Sequence, residues 1–181
     1  MIDRHSTLED VAFAVCTALA KRKLQFLLVG GSAATYYAPR AYQSNDADFI
    51  AVFDVDKIRT AEVIATMVGL GYTLNESTFV HNGGSPFTVE FPIGPPMIGG
   101  DAIRTFETIE RGDEVLYVIS PTDSIRDRLA QYFFWNDRTA FRAAIAVAGA
   151  QKENVDLGLI RDWSAREGEL EKFADFEKLA R

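Results

Sequence analysis

The sequence predicts an α+β fold: a mixed β-sheet flanked by helices over residues 1–120, then a C-terminal helical region, 121–181, packed on that core. Three observations predict it. Up to about residue 120, short apolar strand patterns alternate with helical ones, whereas every later segment reads helical. The apolar run Phe26-Leu27-Leu28-Val29 passes directly into Gly30-Gly31-Ser32 and a helical pattern. The chain has 181 residues, 48% of them apolar, with 13 Phe and 25% charged residues, which suffices for the core of a single domain.

The elements follow in order. Ser6-Thr7-Leu8-Glu9 reads as a capping box that opens a helix running to about Arg22, and the basic triplet Lys21-Arg22-Lys23 suits its C-terminus. Phe26–Val29 is a short buried strand stopped by the two glycines. Ser32 is expected to cap a brief helix, Ala33–Tyr37, ended by Pro39. A polar loop leads to a second strand, about Asp46–Phe53. Asp54 then caps a helix from about Asp56 to Leu70, closed by Gly69 and Gly71. Strand patterns follow at Tyr72–Leu74, Thr78–His81, Phe87–Phe91, Phe106–Glu110 and Val115–Ile119, the last two joined by a hairpin turn at Arg111-Gly112-Asp113. Phe91–Gly100, rich in Pro and Gly, reads as an irregular loop. Ser120-Pro121-Thr122-Asp123 starts a helix with Pro in its first turn, running to about Trp135. Helices are expected over about Thr139–Ala150, Val155–Arg166 and Glu169–Arg181. Tyr132, Phe133, Phe134 and Trp135 read as core aromatics, His81 as a strand-end residue, and the acidic tail from Glu167 as a solvated helix face.

Charge and cysteine content exclude several classes. The net charge is −7, and both halves are acidic: residues 1–90 hold 10 acids and 7 bases, residues 91–181 hold 16 and 12. A broad nucleic-acid-coating surface needs a basic excess. One cysteine (Cys16) permits no internal disulfide, and two histidines (His5, His81) leave a Cys/His zinc site short of ligands. The small-apolar run Val11–Ala20 follows a leader carrying Asp3, Glu9 and Asp10 against Arg4, the wrong sign for secretion. No apolar run reaches a membrane-spanning length. The expectation is a cytoplasmic protein without a membrane partner.

Chemistry concentrates in Phe26–Phe53. The glycines let the backbone turn sharply and approach a ligand, and the N–H groups of the following helix, with the Ser32 hydroxyl, suit a polyphosphate. Separated from Ser32 by thirteen residues, Asp46-Ala47-Asp48 lies on an apolar strand, whose period of two points both carboxylates to one face. Adjacent carboxylates repel unless a cation separates them, and the hard-ion choice is one or two Mg²⁺, or Mn²⁺, shared with substrate phosphates.

Val29-Gly30-Gly31-Ser32 followed by Asp46-Ala47-Asp48-Phe49 resembles the motif of the nucleotidyltransferase superfamily built on the polymerase-β-type palm. Arg40 followed by Ser44-Asn45-Asp46-Ala47-Asp48 also resembles its antibiotic-modifying and toxin-like branches, with Ser44 where Thr is usual. The resemblance implies a nucleotidyltransferase-like sheet and a third acid on a later neighbouring strand. The matching residue is Glu90 in Phe87-Thr88-Val89-Glu90-Phe91, where Asp is commoner. It implies Asp46, Asp48 and Glu90 as catalytic and metal-binding residues, with Gly30, Gly31, Ser32, Arg40 and Ser44 toward the nucleotide. A weaker similarity continues through Ser120–Ala150, with Arg126, Arg128, Asp137 and Arg138. Arg126 and Arg128 cannot share a helix face, and Arg128 is the one assigned to the nucleotide, with a surface ion pair as the alternative. An exposed loop arginine is the alternative for Arg40.

The activity these residues imply is Mg²⁺-dependent transfer of a nucleoside monophosphate from a nucleoside triphosphate to an acceptor hydroxyl, with release of pyrophosphate. The acceptor is a small molecule, an RNA 3′ end or a protein, and the toxin-like resemblance adds a cognate antitoxin or partner protein. The alternative is a catalytically inactive interaction module.

Overall fold

A computed structural model describes residues 2–52 and 60–180. The first helix, α1 (Leu8–Ala20), is capped by Thr7, not Ser6. The Thr7 hydroxyl accepts from the Asp10 N–H, and the Asp10 carboxylate accepts from the Thr7 N–H, so the capping box sits one residue later than the sequence suggests. Ser6 is unavailable because its hydroxyl accepts from the Asp3 N–H. The buried face of α1 is a helical-period stripe that includes Leu8, Val11, Phe13, Val15, Cys16 and Leu19.

Strand β1 (Phe26–Val29) is buried almost throughout and runs straight into helix α2 (Gly30–Tyr37). The helix therefore begins at Gly30 rather than Ala33, with no side-chain cap. Ser32 is inside it, and its hydroxyl is spent on donating to the Val29 carbonyl and accepting from the Asp48 N–H. Strand β2 (Asp46–Ala51) alternates as expected: Asp46, Asp48 and Ile50 are half-buried, while Ala47, Phe49 and Ala51 are buried. The expected end of this strand at Phe53, the Asp54 cap and the helix start near Asp56 lie outside the described residues. The helix is described as α3 (Thr60–Gly69).

Strands β3 (Tyr72–Asn75), β4 (Thr78–His81) and β5 (Thr88–Glu90) follow. Within the expected loop Phe91–Gly100, Met97–Ile98 forms β6, paired antiparallel with β7 (Asp101–Ala102), so that stretch is not wholly irregular. Strands β8 (Glu107–Arg111) and β9 (Glu114–Val118) make a hairpin across Gly112-Asp113, with Gly112 at φ +60°. Seven strands form one mixed sheet among the described residues, in the order β3-β4-β5-β2-β1-β9-β8. β1 lies antiparallel to β2 and parallel to β9, and β2 lies parallel to β5.

Helix α4 (Pro121–Trp135) starts as the sequence predicts, with Ser120 as N-cap and Pro at the first position. Helices α5 (Arg138–Ala150) and α6 (Leu157–Arg166) are capped by Asp137 and Asp156, and these two and α7 (Leu170–Ala180) bury one stripe each. α2 packs against both α4 and α5. One hydrophobic cluster joins Leu27, Phe49, Val89 and Val118 of the sheet to Leu129, Phe133, Trp163 and Phe176 of the helices. Phe133 stacks on Trp163 with ring centroids 5.5 Å apart. The aromatic run Tyr132–Trp135 is only half core: Tyr132 and Phe133 are buried, but Phe134 and Trp135 are 43% and 70% exposed, because a helix turns them to the opposite face. Among the described residues, no helix is long and apolar enough to cross a membrane.

Candidate active site

The site grows from the junction where β1 becomes α2. Gly30 takes φ +66°, a conformation glycine adopts at little cost, and this turns the chain from strand to helix in one residue. A Cβ there would lie 2.6 Å from Asp48 Oδ2 and 3.6 Å from Arg128 Nη2. The missing side chain is thus what lets the Asp48 carboxylate and the Arg128 guanidinium close on the backbone at the start of α2. A Cβ on Gly31 would lie 3.0 Å from Ser44 Oγ and 3.1 Å from the Tyr42 hydroxyl.

Strand register supplies the remaining acids. Asp48 pairs with Val29 on one side and with Glu90 on the other. Paired residues on adjacent strands share a face, so Asp48 and Glu90 project together, with Asp46 two residues away on the same face. Each is held. Ser44 donates its hydroxyl to Asp46 Oδ1 at 3.2 Å, and the Ser44 N–H is fixed by Thr35 Oγ1 at 2.8 Å. Thr78, opposite Glu90 on β4, donates to Glu90 Oε1 at 2.6 Å.

Burial is the largest influence on Asp48, and the negative charges of Asp46 and Glu90 add to it. Together they push its carboxyl up to about 7, against the opposing pull of Arg128. Arg128 is anchored on Asp127, with Nε and Nη2 donating to Oδ2 at 2.9 and 2.7 Å. The Tyr42 phenol is raised, mainly by burial, and it faces the charges of Arg128, Asp137, Asp46 and Asp48.

Of the residues named from sequence, Gly30, Gly31, Ser32, Ser44, Asp46, Asp48, Glu90 and Arg128 gather around this junction. Ser32 contributes through the backbone tie between β1 and β2 rather than through a free hydroxyl. Arg40 is exposed on the connection between α2 and β2. Arg126 points elsewhere: it donates to Asp123 at 2.7 Å and to Asp101 at 2.6 Å, with its guanidinium over the Trp163 ring. Two residues went unmarked in the sequence, Tyr42 and Thr78. A tyrosine two positions before Ser44 carries a weak signal, and Thr78 carries none, because only strand pairing brings it to Glu90.

The donor set fits a divalent cation. Two aspartates share one strand face, one of them destabilised as an anion by burial and then by its acidic neighbours, and they suit a hard ion that completes its shell with phosphate oxygens. Among the described residues, no three acidic, His or Cys side chains converge tightly enough to cage an ion unaided.

No family model matches the chain, and no curated protein matches it. Among solved structures, it is similar to an antigenic nucleotidyltransferase-like protein from Paracoccidioides brasiliensis, with a TM-score of 0.64 and 15% identity, over 98% of this chain and 94% of that one. It also aligns with the antibiotic-resistance factor ANT(2'')-Ia, with a TM-score of 0.45 and 18% identity, over 90% of this chain and 94% of that one. The fold is nucleotidyltransferase-like.

Proposed function

We propose that this chain is a nucleotidyltransferase that moves a nucleoside monophosphate from a nucleoside triphosphate to an acceptor hydroxyl. The observation that supports it is the row Asp46, Asp48 and Glu90 on two paired strands beside the Gly30 turn into α2. The triphosphate lies against Gly30 and Gly31, where the N–H groups at the start of α2 and the Arg128 guanidinium offset its charge. Asp46 and Asp48 would hold Mg²⁺ or Mn²⁺, which when bound neutralises phosphate charge and relieves the repulsion between the aspartates. Glu90, with Oε1 engaged by Thr78, keeps Oε2 to take the proton of the acceptor hydroxyl. The acceptor oxygen bonds to the α-phosphorus, the bond from that phosphorus to the β-phosphate oxygen breaks, and pyrophosphate leaves. Rate enhancement comes from positioning and from fixed charge.

In this proposal residues 121–181 form a helical subdomain that supplies Arg128. The acceptor is a small molecule, an RNA 3′ end or a protein. The resemblance of the Arg40–Asp48 stretch to toxin-like members supports a cytoplasmic toxin–antitoxin setting with a cognate partner protein.

A second reading, a binding module without turnover, is favoured by the absence of a three-ligand cage among the described residues and by the Thr78 bond that occupies Glu90. A thermal-shift screen of the four nucleoside triphosphates with and without Mg²⁺ separates the two. The proposal expects at least one Mg²⁺-dependent rise in Tm, lost in Asp46→Asn/Asp48→Asn. No rise with any of the four contradicts the proposal and favours the interaction module.

A further inference from the structure

Helix α2 faces the acids with its N-terminal Gly30, and its C-terminal residues Tyr36 and Tyr37 line a separate cavity of about 570 Å³. Seven residue steps along the helix separate the two ends by about 10 Å. The cavity volume falls within the range of small-molecule sites, about 300–1,000 Å³.

Its lining has one electrostatic sign. Glu9 enters from α1 and Glu107 from β8, and no Lys, Arg or His lines it among the described residues. Among the described residues Arg111 pairs with Glu9 at 3.9 Å from outside the lining, and its guanidinium is held more closely by Asp10 at 2.9 Å and Glu114 at 2.8 Å. The charges of the two glutamates reach the tyrosines: after burial, Glu9 raises the Tyr36 phenol, against an opposing pull from Arg111, and Glu107 raises the Tyr37 phenol.

The walls are aromatic and fixed. Tyr36 and Tyr37 meet edge to face at 5.2 Å, and the Tyr37 hydroxyl donates to the Ile119 carbonyl at 2.8 Å. Gln151 donates to the Tyr37 carbonyl at 3.1 Å and accepts from Asn154 at 3.2 Å, so an amide wall stands opposite. A second cavity of about 430 Å³, lined in part by Leu8, Pro39 and Phe87, adjoins the first at Glu9 and Tyr36 and forms an apolar continuation on that side.

We propose that this cavity binds an elongated organic cation, of the class of linear di- and polyamines. Its ammonium groups would sit against Glu9, Glu107 and the Tyr36 ring, and its methylenes along the apolar continuation. The site is independent of nucleotidyl transfer.

Calorimetric titration of the full chain with spermidine tests it, with 1,8-octanediol as an uncharged analogue of similar length. Binding at one site per chain is expected, weakened by added salt and absent for the diol. Glu9→Gln and Glu107→Gln should each weaken binding by about fivefold, and Tyr36→Leu similarly, while Tyr36→Phe retains it. The exposed Glu171→Gln on α7 is the control and should change nothing. Thermal melts confirm that each variant is folded. No spermidine binding, equal binding of the diol, or equal weakening by Glu171→Gln would overturn the assignment.

Discussion

Asp48 is the residue on which charge, fold and proposed chemistry meet. Its folded-state pKa of about 7 lies above the unfolded value of 3.8. Ionising it therefore costs the folded state, by about 1.4 kcal/mol for each pKa unit of difference. That cost is absent below the unfolded value, grows as pH climbs from about 4 to about 7, and is complete above it. The Tm of the wild type should accordingly fall by several degrees more than that of Asp48→Asn between pH 5 and pH 8. Parallel melting curves for the two proteins would show that burial and the neighbouring carboxylates do not raise Asp48 as described. A cation on Asp46 and Asp48 acts in the opposite sense: millimolar Mg²⁺ should raise the wild-type Tm at pH 8 and leave the Asp46→Asn/Asp48→Asn variant unmoved.

At the scale of elements, the turn from β1 into α2 carries the prediction. Gly30→Ala places a methyl group 2.6 Å from Asp48 Oδ2 at φ +66°. Gly112→Ala, at φ +60° with nothing within 4 Å of the added methyl group, carries only the backbone cost of about 1–2 kcal/mol. Denaturant unfolding should find Gly30→Ala the more destabilising of the two, and equal losses would mean that the Asp48 carboxylate gives way freely. These elements also show where a sequence can be read. Alternating apolar residues in Asp46–Ala51 and the helical stripe of α1 report burial directly, and Ser120-Pro121 marks a helix start by two independent signals. Caps are harder, since Ser6 and Thr7 are chemically alike and only the competing bond to the Asp3 N–H decides between them. The Ser32 hydroxyl is similarly diverted, by the Val29 carbonyl and the Asp48 N–H, neither apparent from local spacing. Asp46 and Asp48 were legible from period two. Glu90 was legible only through the family resemblance, because its place beside Asp48 is a matter of strand register across 41 intervening residues. Thr78 depends wholly on tertiary contacts, and Tyr42 on little more than its closeness to Ser44 in sequence.

Across the whole molecule, the sheet and the later helices share one hydrophobic cluster, and α4 belongs to both the core and the site. Phe133 and Trp163 stack within the cluster while Arg128, on the same helix as Phe133, reaches Gly30. Phe133→Ala should cost about 3–5 kcal/mol in unfolding free energy, and a single cooperative transition should persist, since the cluster is continuous. Loss of less than about 1 kcal/mol would mean that α4 is not anchored through this ring. The acidic surplus of the chain also resolves into distinct parts. Asp46, Asp48 and Glu90 form one pole at the start of α2, Glu9 and Glu107 a second near its end, and Asp101 and Asp123 are neutralised by Arg126 and Arg166. We propose that the first pole performs nucleotidyl transfer. Incubating the protein with α-labelled nucleoside triphosphates, Mg²⁺ and a panel of small-molecule, RNA and protein acceptors puts this to the test. Pyrophosphate release coupled to label transfer is predicted for the wild type, with a loss of at least about a hundredfold in Asp46→Asn/Asp48→Asn. Transfer that survives unchanged in that variant would contradict the assignment.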